Sequence, residues 1–385
     1  GEIRFSGDVR LASDTGAVLV DEALLRQRLM IRAGEVFNRS RLFEDLQNVT
    51  DLYRDQGYAY ANVTPNTETH EAETRIDLDL QIEIGERVTV ERIEIAGNLR
   101  TRDKVIRREM RLYEGEIYSA TGLKESEARI YQLGFFETVN LKTNRGSAPN
   151  LLNITVEVKE KSTGTFQVGA GLSSVETFIA NAQISQDNFL GNGQLVSLQA
   201  LLSIGEFGRQ QANLQFYEPY LFDSRWSLGL NAYITQRLFR DFQRNSSGFA
   251  PNFGYSITPD LRLSAGYTLE WIKISTDFFD SNQGIALENL NLQGRNSALN
   301  FSVSYDTRNN RLFPSSGQYH VLSFEVADPL IYSDKDLRYQ RYQIALRYYR
   351  PVIASLVLKL NASLGLITGG DDKGVPISER YFPGG

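Results

Sequence analysis

The strongest constraint in this 385-residue sequence is a series of long alternating segments that begins near residue 161. In TFQVGAGL (165–172) and in about ten later segments, apolar side chains alternate with polar or small ones. Most segments have 9 residues or more, whereas strands of soluble sheets average about 5–6. A tilted strand needs about 9–11 residues to cross a bilayer. The pattern therefore predicts an antiparallel transmembrane β-barrel of about eleven strands; a soluble β-sandwich with shorter strands is the alternative.

The two faces of these strands differ in the way a membrane barrel requires. Aromatic residues near strand ends suit an interfacial girdle: Tyr217, Trp226, Trp271, Tyr305, Tyr348 and Tyr349. Water-compatible residues on the other face suit a lumen: Asn231, Glu270, Asn300, Arg341, Arg347, Lys359 and Asn361. Open sheet edges are not tolerated in lipid, and single-chain bacterial barrels have an even strand number. An odd eleventh strand therefore predicts that C-terminal strands are missing and that the last residues lie in an outer loop.

Composition excludes several classes of function. The net charge is −6 and the basic residues are scattered, so no nucleic-acid partner is predicted. There is no cysteine and there are two histidines, which leaves little for thiol or imidazole catalysis. No apolar run approaches the 18 residues of a membrane-spanning helix. We therefore predict no enzyme activity, no cofactor and no metal site.

The first 160 residues contain an internal repeat. DQGYAYANV (55–63) is echoed by QLGFFETVNL (132–141), and each stretch follows a helical pattern. Around each echo the order strand–helix–helix–strand–strand recurs, which predicts two α+β domains. We place the domains at residues 1–86, 87–160 and 161–385. Gly57 and Gly134 are predicted to end helices with positive φ.

Several motifs resemble the BamA family of outer-membrane barrel-assembly factors, which combine POTRA domains with a β-barrel. They include GNLRTRDKVIRREMRLYEGEIY, RIYQLGFFETVNL, SQDNFLGNGQ, YEPYLFDSR, DTRNNRLFPSSG and ERYFPGG. The resemblance implies the last two POTRA domains and an incomplete barrel, in the outer membrane of a Gram-negative bacterium with the POTRA domains in the periplasm. The family usually has five POTRA domains, and the chain stops before the Arg-Gly-aromatic motif of the sixth loop.

The resemblance also implies a function as the core insertase of the BAM complex, which folds and inserts β-barrel proteins. In that family the first barrel strand forms a lateral gate that templates substrate strands. The corresponding residues here are Thr165, Phe166, Gln167, Val168, Gly169, Ala170, Gly171 and Leu172. The glycines have a second interpretation, because they also relieve crowding at a barrel corner.

Two further sites are expected in the POTRA domains. Exposed edge strands are predicted at 58–63 and 138–142, through Tyr58, Tyr60, Val63, Thr138, Val139 and Leu141. They could bind substrate strands by β-augmentation, or simply be short and twisted away. The resemblance assigns Arg107 and Glu114 to contact with a periplasmic lipoprotein similar to BamD; a solvated helix face is the alternative.

The expected partners are unfolded outer-membrane β-barrel substrates, periplasmic lipoproteins and outer-membrane lipid. A two-partner-secretion or TamA-like translocation pore of the same superfamily is the alternative function. A passive porin or a soluble binding module is a third class, but porins carry no POTRA repeats.

Overall fold

A computed structural model of the protein describes residues 2–7, 22–174, 177–205, 208–239, 242–275, 293–311, 313–353, 356–369, 374–376 and 379–381. The chain divides into two compact units, residues 1–162 and 163–385. No helix among the described residues is long and apolar enough to cross a membrane. The long polar stretch 276–294, which the strand count predicts as a loop on the far side of the barrel, lies outside the described residues up to residue 292.

The first unit contains the two predicted α+β repeats. The first repeat comprises β1 (Ile3–Gly7), α1 (Glu22–Arg28), α2 (Arg39–Arg54), β2 (Asn62–His70) and β3 (Arg75–Glu83). The second comprises β4 (Thr89–Ala96), α3 (Asp103–Arg107), α4 (Ala120–Gln132), β5 (Phe136–Arg145) and β6 (Leu151–Glu160). The sheet orders are β1-β3-β2 and β4-β6-β5, so the last strand of each repeat is central.

Helix capping and apolar periodicity explain the two long helices, α2 and α4. The Asn38 side chain accepts hydrogen bonds from the amides of Ser40 and Arg41 and so starts α2. Ser119 does the same for α4 through the amide of Gly122. The buried faces of these helices pack on the sheets, and Leu80 and Ile154 lie at the centres of the two cores.

The repeated glycines end the two long helices as predicted. Gly57 has φ +103° and Gly134 has φ +76°, a region that favours glycine. Gly57 has a second constraint, because a Cβ atom there would lie 2.7 Å from Cγ2 of Ile117 in the second repeat. The glycine at position 57 therefore serves both the helix end and the close approach of the next repeat.

A polar junction joins the two repeats beside Gly57. Asp55 Oδ1 accepts hydrogen bonds from the Thr121 amide at 2.7 Å and from Ser119 Oγ at 2.9 Å. Asp55 Oδ2 accepts from Thr121 Oγ1 at 2.6 Å, and Lys124 Nζ lies 2.5 Å from Asp51 Oδ2. A carboxylate of the first repeat thus caps the N-terminus of α4 in the second.

The second unit is an eleven-stranded antiparallel sheet in sequential order, β7 to β17, with β7 and β17 as its edges. This confirms the predicted fold class and strand count. The strands are β7 (Gly164–Ser173), β8 (Thr177–Phe189), β9 (Gln194–Ile204), β10 (Arg209–Glu218), β11 (Trp226–Leu238), β12 (Gln243–Ser256), β13 (Leu261–Ser275), β14 (Gln293–Asp306), β15 (Gly317–Ala327), β16 (Tyr339–Ile353) and β17 (Leu356–Gly369).

The sheet has one apolar face and one polar face. On the apolar face, Leu263 pairs with Val303, and Ile344 pairs with Leu364, which is 70% exposed. On the polar face, Glu270 is buried. Two of the predicted girdle residues are on the wrong face. Tyr217 and Tyr349 point to the polar side, where Tyr217 accepts a hydrogen bond from Arg262 and Lys359 lies over the ring of Tyr349.

Strand β12 (Gln243–Ser256) has the weakest alternation of the eleven strands. Its glycines, serines and Pro251 interrupt the alternation of apolar and polar residues. Pro251 has no amide hydrogen, and the ladder between β12 and β13 omits residues 250 and 251. On either side of this interruption β12 remains paired with both β11 and β13.

Candidate functional site

The predicted gate residues lie on β7, the first edge of the large sheet. Strand β7 pairs with β8 from Gly164 to Ser173, and no second neighbour exists among the described residues. Its other edge therefore presents a row of backbone amides and carbonyls without a strand partner. Such a row is a template for another strand.

The side chains of β7 are sorted by the same alternation as the rest of the sheet. Phe166, Val168, Ala170 and Leu172 share the apolar face, and Thr165, Gln167, Gly169 and Gly171 share the polar face. Phe166 is 70% exposed and Leu172 is 86% exposed. Thr165 Oγ1 lies 2.6 Å from Ser185 Oγ, so the polar face is held to β8 at its start. The strand thus has exposed backbone and exposed apolar side chains along the same edge.

A buried charge network lies on the polar face, far from β7 in the sheet. Arg244 on β12 lies 3.1 Å from Glu270, and Arg341 on β16 lies 2.9 Å from Glu325. Glu379 joins the two pairs, with Oε2 at 2.6 Å from Arg341 and Oε1 at 3.5 Å from Arg244. In a flat sheet, β12 and β16 would be four spacings of about 4.8 Å apart, roughly 19 Å. Glu379 therefore bridges two strands that lie four positions apart in the sheet order.

Sequence reasoning missed this network. Glu379 is 135 positions from Arg244, and no local motif connects them. Arg341 and Glu270 were placed correctly on the polar face, but their partners could be identified only after the strand register was known. The terminal motif ERYFPGG was the one sequence feature that pointed to this region. In the structure its Glu379 is buried, with 8% exposure, and Tyr381 Oη accepts a hydrogen bond from Gln343.

The predicted edge residues of the first repeat need a correction. Strand β2 begins at Asn62, so Val63 lies in it but Tyr58 and Tyr60 precede it. The amides of Tyr58 and Ala61 donate to the carbonyls of Tyr53 and Tyr58, so the chain turns over the helix end before it extends. Strand β2 is nevertheless an edge of its sheet. The ring of Tyr60 lies under the guanidinium of Arg145, 5.5 Å from its centroid.

In the second repeat, Thr138, Val139 and Leu141 all lie in β5, which is also an edge strand. Thr138 is exposed, Val139 is buried and Leu141 is half-buried. A β-bulge lies between Phe136 and Thr138. The structure therefore brings these three residues to a sheet edge, and their role in substrate binding stays a prediction.

Arg107 and Glu114 come together, and both contact the backbone of β4. Arg107 Nη1 lies 3.6 Å from Glu114 Oε1. The Ile93 amide donates to Glu114 Oε1 at 2.9 Å, and Arg107 Nη2 donates to the Ile93 carbonyl at 3.1 Å. A hydrogen bond to Asp103 holds Arg107 in place and is the main cause of its raised pKa. The pair is therefore tied to the sheet as well as half-exposed to solvent.

Comparison with known proteins identifies the family. Residues 188–385 match the model of the Omp85 superfamily domain. Residues 1–85 and 88–161 match the POTRA model, described as surface antigen variable number repeat. An outer membrane protein assembly factor BamA from Neorickettsia risticii is 29% identical over 98% of this chain and 50% of its own length. The BamA of Neisseria meningitidis serogroup B is 25% identical over 98% of this chain and 49% of its own length.

A solved structure supports the same fold. BamA from Haemophilus ducreyi lacking POTRA domains 1–3 superposes with a TM-score of 0.76 at 24% identity, covering all of this chain and 74% of that one. The chain spans about half the length of the curated relatives it matches. The resemblance inferred from the sequence motifs is confirmed. The chain belongs to the Omp85 superfamily, and it is an outer-membrane protein whose POTRA domains lie in the periplasm.

Proposed function

We propose that this chain is part of a BamA-like insertase, which folds β-barrel proteins and inserts them into the outer membrane. The observation that carries this proposal is strand β7, which pairs with β8 alone among the residues that the structure describes. Similarity to relatives that are named outer membrane protein assembly factors supports it. The substrates are unfolded chains that must become barrel strands.

Strand templating at β7 needs no bond cleavage and no catalytic residue. An incoming strand pairs with the free edge of β7, and each new backbone hydrogen bond removes a polar group from contact with lipid. Phe166, Val168 and Leu172 extend the apolar face beside the new strand. The edge thus acts as a lateral gate that lowers the cost of placing an unpaired strand in the bilayer.

The POTRA domains would supply earlier binding sites for the same substrates. Strands β2 and β5 are edges of their sheets, and an extended peptide can add to such an edge through main-chain hydrogen bonds. In β5 the residues concerned are Thr138, Val139 and Leu141, and in β2 Val63. Tyr58 and Tyr60 would contact a peptide beside the start of β2, not within it.

Arg107 and Glu114 would contact a periplasmic lipoprotein of the BamD type. Their side chains are 40% and 48% exposed, so each offers charge to a partner while also contacting its neighbour. Surface charges of this kind set the orientation and the association rate of a complex.

Disulfide trapping tests the proposed gate. The chain has no cysteine, so Gln167→Cys on β7 introduces a single thiol into it. In the full-length protein in the outer membrane, we expect this thiol to trap a cysteine in the terminal strand of a stalled substrate barrel. Paired strands lie about 4.8 Å apart, near the Cβ separation of about 3.5–4.5 Å that a disulfide needs.

Leu263→Cys is the matched control, because β13 is paired on both sides. Equal trapping at positions 167 and 263, or trapping at neither, would contradict the gate. A translocation pore would instead trap its passenger from polar-face positions such as Asn231→Cys and Lys359→Cys.

A further inference from the structure

The two edge strands of the second POTRA sheet, β4 and β5, differ in how far other residues cover their outer edges. The outer edge of β4 is covered over its first half by residues 115–118. The Val90 amide donates to the Glu116 carbonyl at 2.8 Å, and the Gly115 amide donates to the Val90 carbonyl at 2.7 Å. The Tyr118 amide donates to the Val88 carbonyl at 3.2 Å. This short segment therefore occupies the place of an added strand.

At Ile93 two charged side chains continue the cover. The carboxylate of Glu114 accepts from the Ile93 amide, and the guanidinium of Arg107 donates to the Ile93 carbonyl. One acceptor and one donor facing the same residue reproduce what a hydrogen-bonded residue of an antiparallel neighbour would offer. The mutual attraction of Arg107 and Glu114, and the bond of Arg107 to Asp103, hold this arrangement.

No segment of residues 22–174 covers strand β5 in a comparable way. Within residues 22–174, which the structure describes without a gap, its one strand neighbour is β6. Its charged side chains pair across the outer face of the sheet, with Lys142 at 2.6 Å from Glu157 on β6. That ion pair lies over the sheet and leaves the edge of β5 accessible.

We propose that the Arg107–Glu114 pair is an edge lock, which closes β4 at Ile93 and so restricts strand addition in this repeat to β5. The lock itself follows from contacts on β4, whereas its consequence for substrates rests on the proposed function. It also gives Glu114 a second role beside partner binding. A variant at position 114 changes the sheet edge as well as the charged surface.

Hydrogen–deuterium exchange in the full chain in detergent tests the lock. Glu114→Ala removes the acceptor, and we expect the amide of Ile93 to exchange about tenfold faster, as expected for loss of a charge-assisted hydrogen bond. Glu114→Gln keeps an acceptor oxygen and should restore part of the protection. Unchanged exchange in segments from β6 shows that the domain remains folded.

Glu157→Ala is the control, because it removes an exposed ion pair without removing a backbone contact of β4. Unaltered exchange at Ile93 in Glu114→Ala, or equal acceleration in Glu157→Ala, would overturn the lock.

A cysteine-bearing synthetic peptide with alternating apolar and polar residues tests the choice of edge. Glu94→Cys on β4 and Asn140→Cys on β5 lie on the same outer face of the sheet. The peptide should form a disulfide with position 140 alone when Glu114 is present, and with both positions in Glu114→Ala. Equal reaction at positions 94 and 140 with Glu114 present overturns the restriction to β5. Accelerated exchange at Ile93 without reaction at either position supports the lock and contradicts strand acceptance by this POTRA domain.

Discussion

The small POTRA sheets and the large sheet place their apolar side chains in opposite surroundings. In the second POTRA domain, Ile154 on the central strand is fully buried beneath the helices. In the large sheet, Leu263 and Ile344 are 40% and 39% exposed, while Glu270 on the other face is 5% exposed. The same alternation of apolar and polar residues therefore places apolar side chains in two different environments. A layer of helices covers the apolar face in one region, and lipid covers it in the other.

The largest effect should come from the helix-covered core. Ile154→Ala leaves a cavity between two strands and the helices, and we expect it to cost about 2–5 kcal/mol of the free energy of unfolding of this domain. Asn140→Ala on the exposed face should change it by about 0.5 kcal/mol or less. Chemical unfolding followed by exchange in β6 segments measures both. Equal costs would mean that the face of β6 has been assigned wrongly.

In the large sheet, arginine substitutions should cost more at exposed apolar positions than at positions on the polar face. An arginine on the exposed apolar face meets hydrocarbon and should cost about 2–4 kcal/mol near the bilayer midplane. The same substitution on the polar face should be nearly neutral. The pairs to compare are Leu228 with Asn231, Leu263 with Ser264, and Ile344 with Gln343. The measurement is the free energy of folding into liposomes. Similar costs within each pair would show that the apolar face does not contact lipid.

A smaller effect is expected from the buried charge network. Glu379→Gln weakens the bridge between Arg244 and Arg341, each of which keeps its own carboxylate partner. Loss of charge-assisted hydrogen bonds should cost about 1.5–3 kcal/mol locally and expose the backbone after Arg380 to trypsin. Asp328→Asn, which weakens the ion pair with Arg338, is the control. A cleavage rate equal to that of the control would show that Glu379 does not hold this segment.

The smallest effect concerns pH and the second POTRA domain. Burial acts to raise the pKa of Glu160, but hydrogen bonds from Thr101 and Arg100 outweigh it and lower the pKa below its usual value. A lowered pKa in the folded state contributes stability above the unfolded value of about 4.3, and that contribution is lost as the pH falls through the folded pKa.

The difference in thermal midpoint between the unmodified chain and Glu160→Gln should therefore shrink between pH 7 and pH 4. A constant difference over that range would show that the carboxylate charge of Glu160 is not what stabilises the turn at residues 100–101.

Local patterns predicted more of the fold than of the site. The repeat, the helix-ending glycines and most of the long strands depend on residues close in sequence, and they were correct. Strand β12 has the weakest sequence signal, because glycine, serine and proline interrupt its alternation. Tyr58 and Tyr60 were placed in a strand because the turn after Gly57 uses backbone hydrogen bonds that the sequence does not reveal.

The charged contacts were beyond sequence reasoning because they depend on strand register and join residues far apart in the sequence. Nothing local in the sequence indicates that Glu114 reaches the Ile93 amide 21 positions away. The same holds for Glu379, whose arginine partners lie on strands far apart in the sheet order. The residue types could be assigned to faces, but their contacts required the three-dimensional arrangement.

The junction at Asp55 has a consequence for how the periplasmic region unfolds. A carboxylate of the first repeat caps helix α4 of the second, so α4 loses three hydrogen bonds when the first repeat detaches. Two domains without shared contacts would unfold independently, whereas two domains that share a helix cap unfold more cooperatively. Detachment of the first POTRA domain would therefore also destabilise the N-terminal turn of α4 in the second.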